Sequence, residues 1–523
     1  HRTALRGALP NIAWRVTREH VGDPYPKYVQ TAGPDMYNLA NYSGFRYQRT
    51  DQQGFDDILA LRADARKNFV TAFPLYVKAG VNYRGQNRDI DRKFWDYAYT
   101  GTQPLTRFLD RNWDYNLGLG PSNSYRSAPY PGIDESTAVF EANPGDFTQD
   151  IASSLSMQFL NNKRIKEEVG AAYAMGGVTF GKLSVVGGAR LERTQDDGEG
   201  PKRELTRAES ARRAAFVGPL TAAEIERRTI AEYGGRQETK TDYADLFPSM
   251  HAKFQILPGF LARASWATGI GRPSFADVIP SLTINEDART ISATNPGLKP
   301  QYAKNIDVSL EYYFEPVGVL SVGYFHKKIT DFIFSDTQVV GTGAENGFGE
   351  EYAGFILSTT ANGGYGIVKG YEINYSQQLS KLPGLLSRFG VYANYTKNNT
   401  EGNYDSGGGA VQSTNEIVGF IPETANIGVS YVQNRLDLRV QWNWRGKYLV
   451  AYSSNPASLR FEQPRGLVNL RTKVRVYKNY SFYFDVLNVF NEAGDDQYIF
   501  SPSRPFTRRH GSPRYYFGIS GTY

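Results

Sequence analysis

An antiparallel transmembrane β-barrel is the architecture that this sequence predicts. Long stretches alternate between apolar and polar residues, and their connections alternate between short and long. In one such stretch Leu436, Val440 and Trp442 share one face, and Asp437 and Arg439 occupy the opposite face. Successive side chains of a strand point to opposite sides, so this pattern predicts a strand with one apolar and one polar face.

The alternating stretches are predicted to form hairpins. The paired segments are 52–66 with 69–90, 165–181 with 183–196, 242–257 with 259–270, 300–315 with 318–334, 364–380 with 385–400, 423–433 with 436–450, and 466–477 with 481–490. The connections between the hairpins are 91–164, 197–241, 271–299, 335–363, 401–422, 451–465 and 491–512. Outer-membrane barrels combine short periplasmic turns with long extracellular loops, whereas soluble domains rarely contain so many long loops.

The predicted strands number about 15, or about 16 if residues 2–18 contribute one. A final strand over 514–523 carries Tyr515, Phe517, Ile519 and Tyr523 on one face. Residues 1–34 remain unassigned, as a possible strand or loop, and residues 35–523 are predicted to form the barrel.

Composition excludes several classes of protein. The 523 residues include no Cys and only five His, with no HExxH spacing, so no metal site or cofactor is expected. The net charge is +6, but Lys and Arg are scattered singly, unlike the basic stripe of a nucleic-acid-binding protein. No apolar run approaches the roughly 18 residues that a membrane-spanning helix needs. No motif indicates an enzyme.

Two connections are predicted to contain helices. In 197–241, Thr206 and Glu209, and then Thr221 and Glu224, have capping-box spacing and predict a helical hairpin. A second helix is predicted over 150–166, directly before a strand.

Several stretches resemble the barrel of TonB-dependent outer-membrane receptors. The matching stretches are 187–192, 246–249, 269–274 with its Arg272-Pro273 pair, 295–300, 311–314, 323–329 and 488–491. Their order and spacing over 165–523 carry the resemblance, and 35–164 fits more loosely. The resemblance implies import of a scarce solute through the outer membrane of a Gram-negative bacterium, powered through TonB.

The resemblance also implies a barrel of 22 strands enclosing an N-terminal plug domain. Neither the plug nor a TonB box is found in this sequence. We therefore expect the chain to be the C-terminal part of a receptor, with the plug and first strands upstream. The resemblance favours an oligosaccharide as the solute, closely followed by a ferric siderophore. Expected partners are outer-membrane lipid, the TonB complex, a small ligand and a lipoprotein or other membrane protein.

Two groups of residues are candidates for function. Dense aromatic residues in the 91–164 connection, together with Arg272, are candidate substrate contacts: Trp95, Tyr97, Tyr99, Trp113 and Tyr115. The alternative is that these rings pack the loops against one another. Basic residues on the polar faces are expected to point into the lumen, where they attract an anionic solute or pair with plug carboxylates: Arg439, Arg445, Arg471, Lys473 and Arg475.

Two other functions fit the same strand pattern. One is a passive porin of 16 strands that lacks a plug, and the other is a soluble all-β surface protein that binds a ligand. A plug-like domain encoded upstream excludes the porin, and extraction without detergent supports the soluble protein.

Overall fold

The computed structural model describes residues 2–9, 11–17, 27–110, 129–285, 289–343, 347–404, 412–453, 455–492, 494, 496–507, 509 and 511–521. Strands dominate these residues. They are β1 (Arg2–Ala8), β2 (Ala13–Thr17), β3 (Lys27–Ala32), β4 (Ser43–Phe69), β5 (Leu75–Tyr99), β6 (Phe147–Gln149), β7 (Lys163–Phe180), β8 (Leu183–Lys202), β9 (Gly235–Leu257), β10 (Phe260–Gly271), β11 (Leu282–Asn285), β12 (Thr290–Ala293), β13 (Gln301–Phe314), β14 (Gly318–Thr330), β15 (Ile333–Val339), β16 (Ile356–Asn362), β17 (Tyr365–Gln378), β18 (Phe389–Gly402), β19 (Glu423–Gln433), β20 (Leu436–Arg445), β21 (Tyr448–Ala451), β22 (Arg460–Glu462), β23 (Arg465–Tyr477), β24 (Tyr480–Leu487), β25 (Gln497–Ile499), β26 (Pro505–Thr507) and β27 (Arg514–Gly521).

The helices are short and lie in the connections. They are α1 (Ile133–Ala142), α2 (Ile151–Asn161), α3 (Arg207–Ala215), α4 (Ala222–Tyr233) and α5 (Phe275–Val278). Within the described part of the chain, every helix is too short or too polar to cross a lipid bilayer.

One large antiparallel sheet organises the molecule. Hydrogen bonding runs from strand to strand in the order β1, β4, β5, β7, β8, β9, β10, β13, β14, β17, β18, β19, β20, β23, β24 and β27, and β6 adds to the tip of β5. Each strand therefore pairs with its neighbour in the chain, apart from the small strands of the long connections. This up-and-down order is the topology expected of an outer-membrane barrel.

The apolar faces of these strands join into one continuous band. Val308 lies opposite Ala264 on one side and Tyr324 on the other. Val440 lies opposite Val429 and Leu470. Ile306 and Val440 are 48% and 42% exposed, so the band is a surface rather than a packed core. Its other members include Leu246, Met250, Leu310, Val322, Ile373, Ile427, Trp442, Phe484 and Phe517.

This band corresponds to the lipid-facing surface of a transmembrane barrel, as the alternation predicted. An exposed apolar surface of this extent is costly in water. In a bilayer it meets hydrocarbon, while the hydrogen-bonded strands satisfy their own backbone groups. The polar faces, with Asp307 and Arg439, lie on the opposite side of the sheet.

Buried apolar side chains collect at the loop ends of the strands. One cluster joins Phe325 and Val368 to Phe332, Phe334 and Tyr404 of the long connections. Further clusters hold the connections around Phe108, Ile279, Ile291 and Leu449. The connections therefore pack on cores of their own, whereas the middle of the sheet is exposed on both faces.

The predicted hairpins are present, but several strands are longer than predicted. β4 and β5 extend to Ser43 and Tyr99, so 91–99 is strand rather than loop. Likewise β8 and β9 shorten the predicted 197–241 loop to 203–234. Turns occur where expected: Asn434 adopts a φ of 45°, and at Gly259 a Cβ atom would lie 2.4 Å from the Tyr313 carbonyl oxygen.

The helical hairpin in this loop is confirmed. The Thr206 and Thr221 hydroxyls accept hydrogen bonds from the backbone N–H groups of Glu209 and Glu224, at 3.2 and 3.3 Å. The two glutamates do not complete reciprocal capping boxes; Arg212 donates to Glu209 within α3 and to Glu224 across the hairpin.

The helix predicted over 150–166 is shorter than expected. α2 ends at Asn161, and β7 begins at Lys163. Lys163 and the residues that follow it join the ladder with β5, so pairing within the sheet overrides the local helical pattern.

The sheet has two edges among the described strands. β4 pairs with β1 only over 43–50, and its residues 51–69 pair with β5 alone. At the other end, β27 pairs with β24 alone. Closure of the sheet is not seen between these edges. Strand β1 supplies the sixteenth strand of the ladder, from a region that the sequence left unassigned.

Candidate functional site

A group of polar side chains lines the polar face near the loop end of β5, β7, β8 and β9. We call this group the polar wall: Arg84, Glu167, Glu192, Thr194, Asp196, Tyr243 and Arg272. Its members meet because the register places Glu167 opposite Asp196 and Thr194 opposite Tyr243.

Arg272 is the anchor of the polar wall. Its Nη2 lies 2.7 Å from Glu192 Oε2, and its Nε donates to Thr194 Oγ1 at 3.1 Å. Thr194 is only 1% exposed, so these groups interact away from bulk water. Arg272, a predicted substrate contact, is thus already paired within the chain, and its guanidinium is held in one orientation.

Two polar atoms of the wall lack partners. Asp196 Oδ2 accepts a hydrogen bond from Thr241 at 2.9 Å, but Asp196 Oδ1 and the Tyr243 hydroxyl are shielded from solvent and unpartnered. The outward-facing Arg193–Asp242 ion pair marks the end of the apolar band; Asp196 lies on its loop side, and Tyr243, opposite Thr194, lies level with it. Burial raises the pKa of Asp196 and raises the pKa of Tyr243 to about 12.

A second arginine completes the wall. Arg84 Nη1 lies 2.9 Å from Glu167 Oε1, and Glu167 is buried. The wall therefore presents fixed, neutralised charges beside two polar atoms with unused hydrogen-bonding capacity. Such a surface suits a polar solute better than an apolar one.

The aromatic candidates lie on β5 and not in a loop, which corrects their predicted placement. Trp95, Tyr97 and Tyr99 lie at the C-terminal end of β5, on the same face as Val77. Tyr97 packs 4.9 Å from the Phe140 ring, and Tyr99 packs 5.1 Å from the Phe108 ring, centroid to centroid. This packing joins the strand tip to α1 and its neighbouring connection, the arrangement described by the alternative interpretation.

Trp95 differs from the two tyrosines. It is half-buried, and the Arg49 guanidinium lies 5.8 Å from its ring centroid. Trp113 and Tyr115, the other aromatic candidates, fall outside the described residues, as does Tyr523 of the predicted last strand.

The basic residues expected in the lumen lie on the polar faces of β20 and β23. Arg439 is opposite Arg471, and Lys473 is opposite Asp437. Arg439 pairs with Asp437 at 3.0 Å, Arg471 pairs with Asp485 at 3.3 Å, and Arg445 pairs with Glu462. Three of these five cations are thus neutralised by carboxylates of the same chain. Arg475 lies opposite Ser481 near the short-turn end of the sheet.

The last strand carries its predicted aromatic face. Tyr515, Phe517 and Ile519 lie opposite Val486, Phe484 and Phe482. Phe517 and Ile519 are each 73% exposed, so this face continues the apolar band to the edge of the sheet.

Sequence reasoning found Arg272 but missed the rest of the polar wall. Polar residues at alternate positions in 84–88 and 192–196 were the available signal, but only the register shows that they meet. Within the described ranges, no group of three or more His, Asp or Glu side chains is placed to bind a metal ion.

Comparison with known proteins agrees with the fold. The family model described as TonB dependent receptor-like, beta-barrel matches residues 10–489. No curated protein sequence matches the chain significantly.

Solved structures of receptors share the architecture. A mutant ferric enterobactin receptor from Pseudomonas aeruginosa aligns with a TM-score of 0.52 and 12% identity, over 92% of this chain and 56% of that one. The ferric-catecholate import receptor of E. coli K12 aligns with a TM-score of 0.54 and 14% identity, over 99% and 59%. The siderophore receptor of Acinetobacter baumannii aligns with a TM-score of 0.50 and 12% identity, over 91% and 56%.

The chain thus spans less than two-thirds of the length of these receptors. Because the sequence identities are low, these structural similarities show a shared fold and no more. The family model, however, covers most of the chain, and the strand order and apolar band agree with it. This chain belongs to the TonB-dependent receptor family, as part of its β-barrel.

Proposed function

We propose that the protein is an outer-membrane receptor that imports a scarce polar solute in a Gram-negative bacterium. Energy reaches it from TonB through a plug region, as the family membership suggests. The solute is a ferric siderophore or an oligosaccharide. The neighbouring structures bind or import ferric siderophores, which favours the first class at the level of the fold.

We propose that the polar wall is the surface that contacts the solute. Asp196 Oδ1 and the Tyr243 hydroxyl have no partner although solvent does not reach them. An unsatisfied buried polar group costs about 1–3 kcal/mol, and a solute that bonds to it once neighbouring side chains move aside recovers part of that cost. Glu192 and Glu167 neutralise the adjacent arginines, so the wall offers directional hydrogen bonds more than net charge.

The aromatic cluster at the tip of β5 serves as the support for the solute-binding connection in this proposal. Tyr97 and Tyr99 hold α1 and its flanking residues through ring contacts. Trp95, Trp113 and Tyr115 are the candidates for stacking on the solute. The lumenal Arg439, Arg445, Arg471, Lys473 and Arg475 form the deeper path, with Lys473 and Arg475 as the residues that we propose to contact an anionic solute or plug carboxylates.

Uptake by the full-length protein tests this function. Cells expressing it are supplied with radiolabelled ferric siderophores and, separately, with labelled maltooligosaccharides, with and without a functional TonB. We expect one class to accumulate only when TonB is present. Equal uptake in the absence of TonB contradicts the proposal and supports the passive porin, as does steady ion conductance in a planar bilayer.

Tyr243→Phe tests the polar wall. The variant removes only the unpartnered hydroxyl, so we expect normal folding and solute binding weakened about fivefold, equivalent to roughly 1 kcal/mol. Tyr371→Phe is the matched control, because Tyr371 lies on the apolar face opposite Tyr324. Equal binding by both variants rejects the polar wall as a solute contact.

A further inference from the structure

Three lysines occupy an unusual position at the loop-side end of the apolar band. Lys304 of β13, Lys328 of β14 and Lys369 of β17 are all exposed. The first two are directly opposite each other, and Lys369 is opposite His326, two residues from Lys328. We call these three residues the lysine triangle.

The lysine triangle faces the membrane side of the sheet. Lys304 shares its face with Ile306 and Val308, because strand residues two apart point the same way. Lys369 shares its face with Tyr371 and Ile373 by the same rule. The lysines therefore lie where the hydrocarbon-facing surface gives way to the polar boundary, on the side of the long loops.

The geometry brings like charges together. Side chains directly opposite on antiparallel strands have Cβ atoms about 4.5–5.5 Å apart, and diagonal neighbours are about 7–8 Å apart. Like charges at these positions are destabilising. The arrangement therefore calls for an anion that bridges the ammonium groups.

The chain itself does not supply that anion. Among the described residues, no carboxylate forms an ion pair with any lysine of the triangle. Lys397, the next outward lysine, shows the contrast, because Glu423 lies 2.9 Å from its Nζ. Glu401, on the same face, accepts a hydrogen bond from the Tyr365 hydroxyl instead.

We propose that the lysine triangle binds the phosphate-bearing headgroup of an anionic lipid in the outer leaflet. The site rests on the proposed outer-membrane location. Apolar surface continues directly below the lysines: Ile306, Val308, Tyr324 and Tyr371 are 48%, 46%, 49% and 41% exposed. A lipid contacts the lysines and the apolar surface at once, with its phosphate on the lysines and its acyl chains on the apolar residues. A free phosphate contacts only the lysines.

Lipid binding to the detergent-purified, full-length protein tests the proposal by native mass spectrometry. The probes are bisphosphorylated lipid A, phosphatidylcholine and inorganic phosphate. We expect lipid A to bind and to resist competition by inorganic phosphate, and phosphatidylcholine to bind more weakly. Each lysine near an anionic lipid contributes about 1 kcal/mol, or about fivefold in affinity, so the triple Lys→Gln variant should lose about 100-fold.

The control variant carries Lys253→Gln, Lys327→Gln and Lys381→Gln. It makes the same change in net charge at exposed sites outside the triangle, and we expect affinity within twofold of the unmodified protein. Single substitutions in the triangle, each expected to cost about fivefold, replace the triple variant if it does not fold.

Three outcomes overturn the site. These are equal loss in triangle and control variants, full retention in the triangle variants, or displacement of lipid A by inorganic phosphate at equal concentration. TonB-dependent uptake is measured separately on the same proteins. Loss of lipid binding with intact uptake rejects only the lipid site, and loss of TonB dependence rejects the proposed function.

Discussion

Val322→Arg gives the sharpest test of which face meets lipid. Val322 lies on the apolar face of β14, opposite Leu310 on one side and Ile373 on the other. His326, at the boundary of the band, is four residues further along the strand. At about 3.4 Å per residue and a tilt of about 40°, Val322 lies about 10 Å deeper than that boundary.

This depth is close to the middle of an apolar band about 25 Å tall. Arginine there costs about 2–4 kcal/mol, which lowers the folded-to-unfolded ratio about 30- to 700-fold. Denaturant titration of the full-length protein in phospholipid vesicles, followed by tryptophan fluorescence, measures this change in the free energy of unfolding.

Ser321→Arg is the matched control. Ser321 is the preceding residue, on the polar face between Glu311 and Asn374, so its substitution places the same side chain beside a carboxylate. We expect a change below about 1 kcal/mol. Equal destabilisation by the two variants refutes the assignment of the faces.

Three further predictions concern the loop side. Arg272→Met removes one of the two arginine partners of the Glu192 carboxylate, leaving Arg190, and should lower the free energy of unfolding by about 0.5–1.5 kcal/mol, measured by denaturant titration; an unchanged value shows that the Arg272 ion pair contributes nothing. Burial raises the pKa of Asp196 above its unfolded value, so native stability is lost as pH rises from about 4 through that pKa. Asp196→Asn should therefore gain stability over the unmodified protein between pH 4 and pH 7 in parallel titrations, and a pH-independent difference contradicts this. Thr221→Ala removes the hydrogen bond from the Glu224 N–H and should cost about 0.5–2 kcal/mol locally, seen as faster amide hydrogen exchange in α4 but not in α2.

The sequence predicts the membrane-spanning strands well because lipid requires apolar residues at every second position. Alternation at Leu436–Arg445 marks both faces of β20 without any knowledge of its neighbours. Above the bilayer that rule ends, since water and packed connections replace hydrocarbon. This is why the pattern predicts a loop for the upper part of β5, places the start of β4 too late in the chain, and assigns the aromatic residues near Tyr99 to a loop.

The candidate site depends on contacts that sequence does not encode locally. Arg272 and Glu192 are 80 residues apart, and their pairing requires the register of β8 on β9 and of β9 on β10. The capped helices are the opposite case. Thr206 and Thr221 determine their helix starts through neighbours three residues away, so local spacing was sufficient.

Two separate interactions stabilise the protein: the apolar band contacts lipid, and the connections pack on cores of their own. Hydrocarbon surrounds the exposed side chains of the apolar band, whereas ring contacts around Phe108 and Tyr404 hold the connections together in water. A rearrangement of the connections can therefore leave the register of the membrane-embedded strands unchanged.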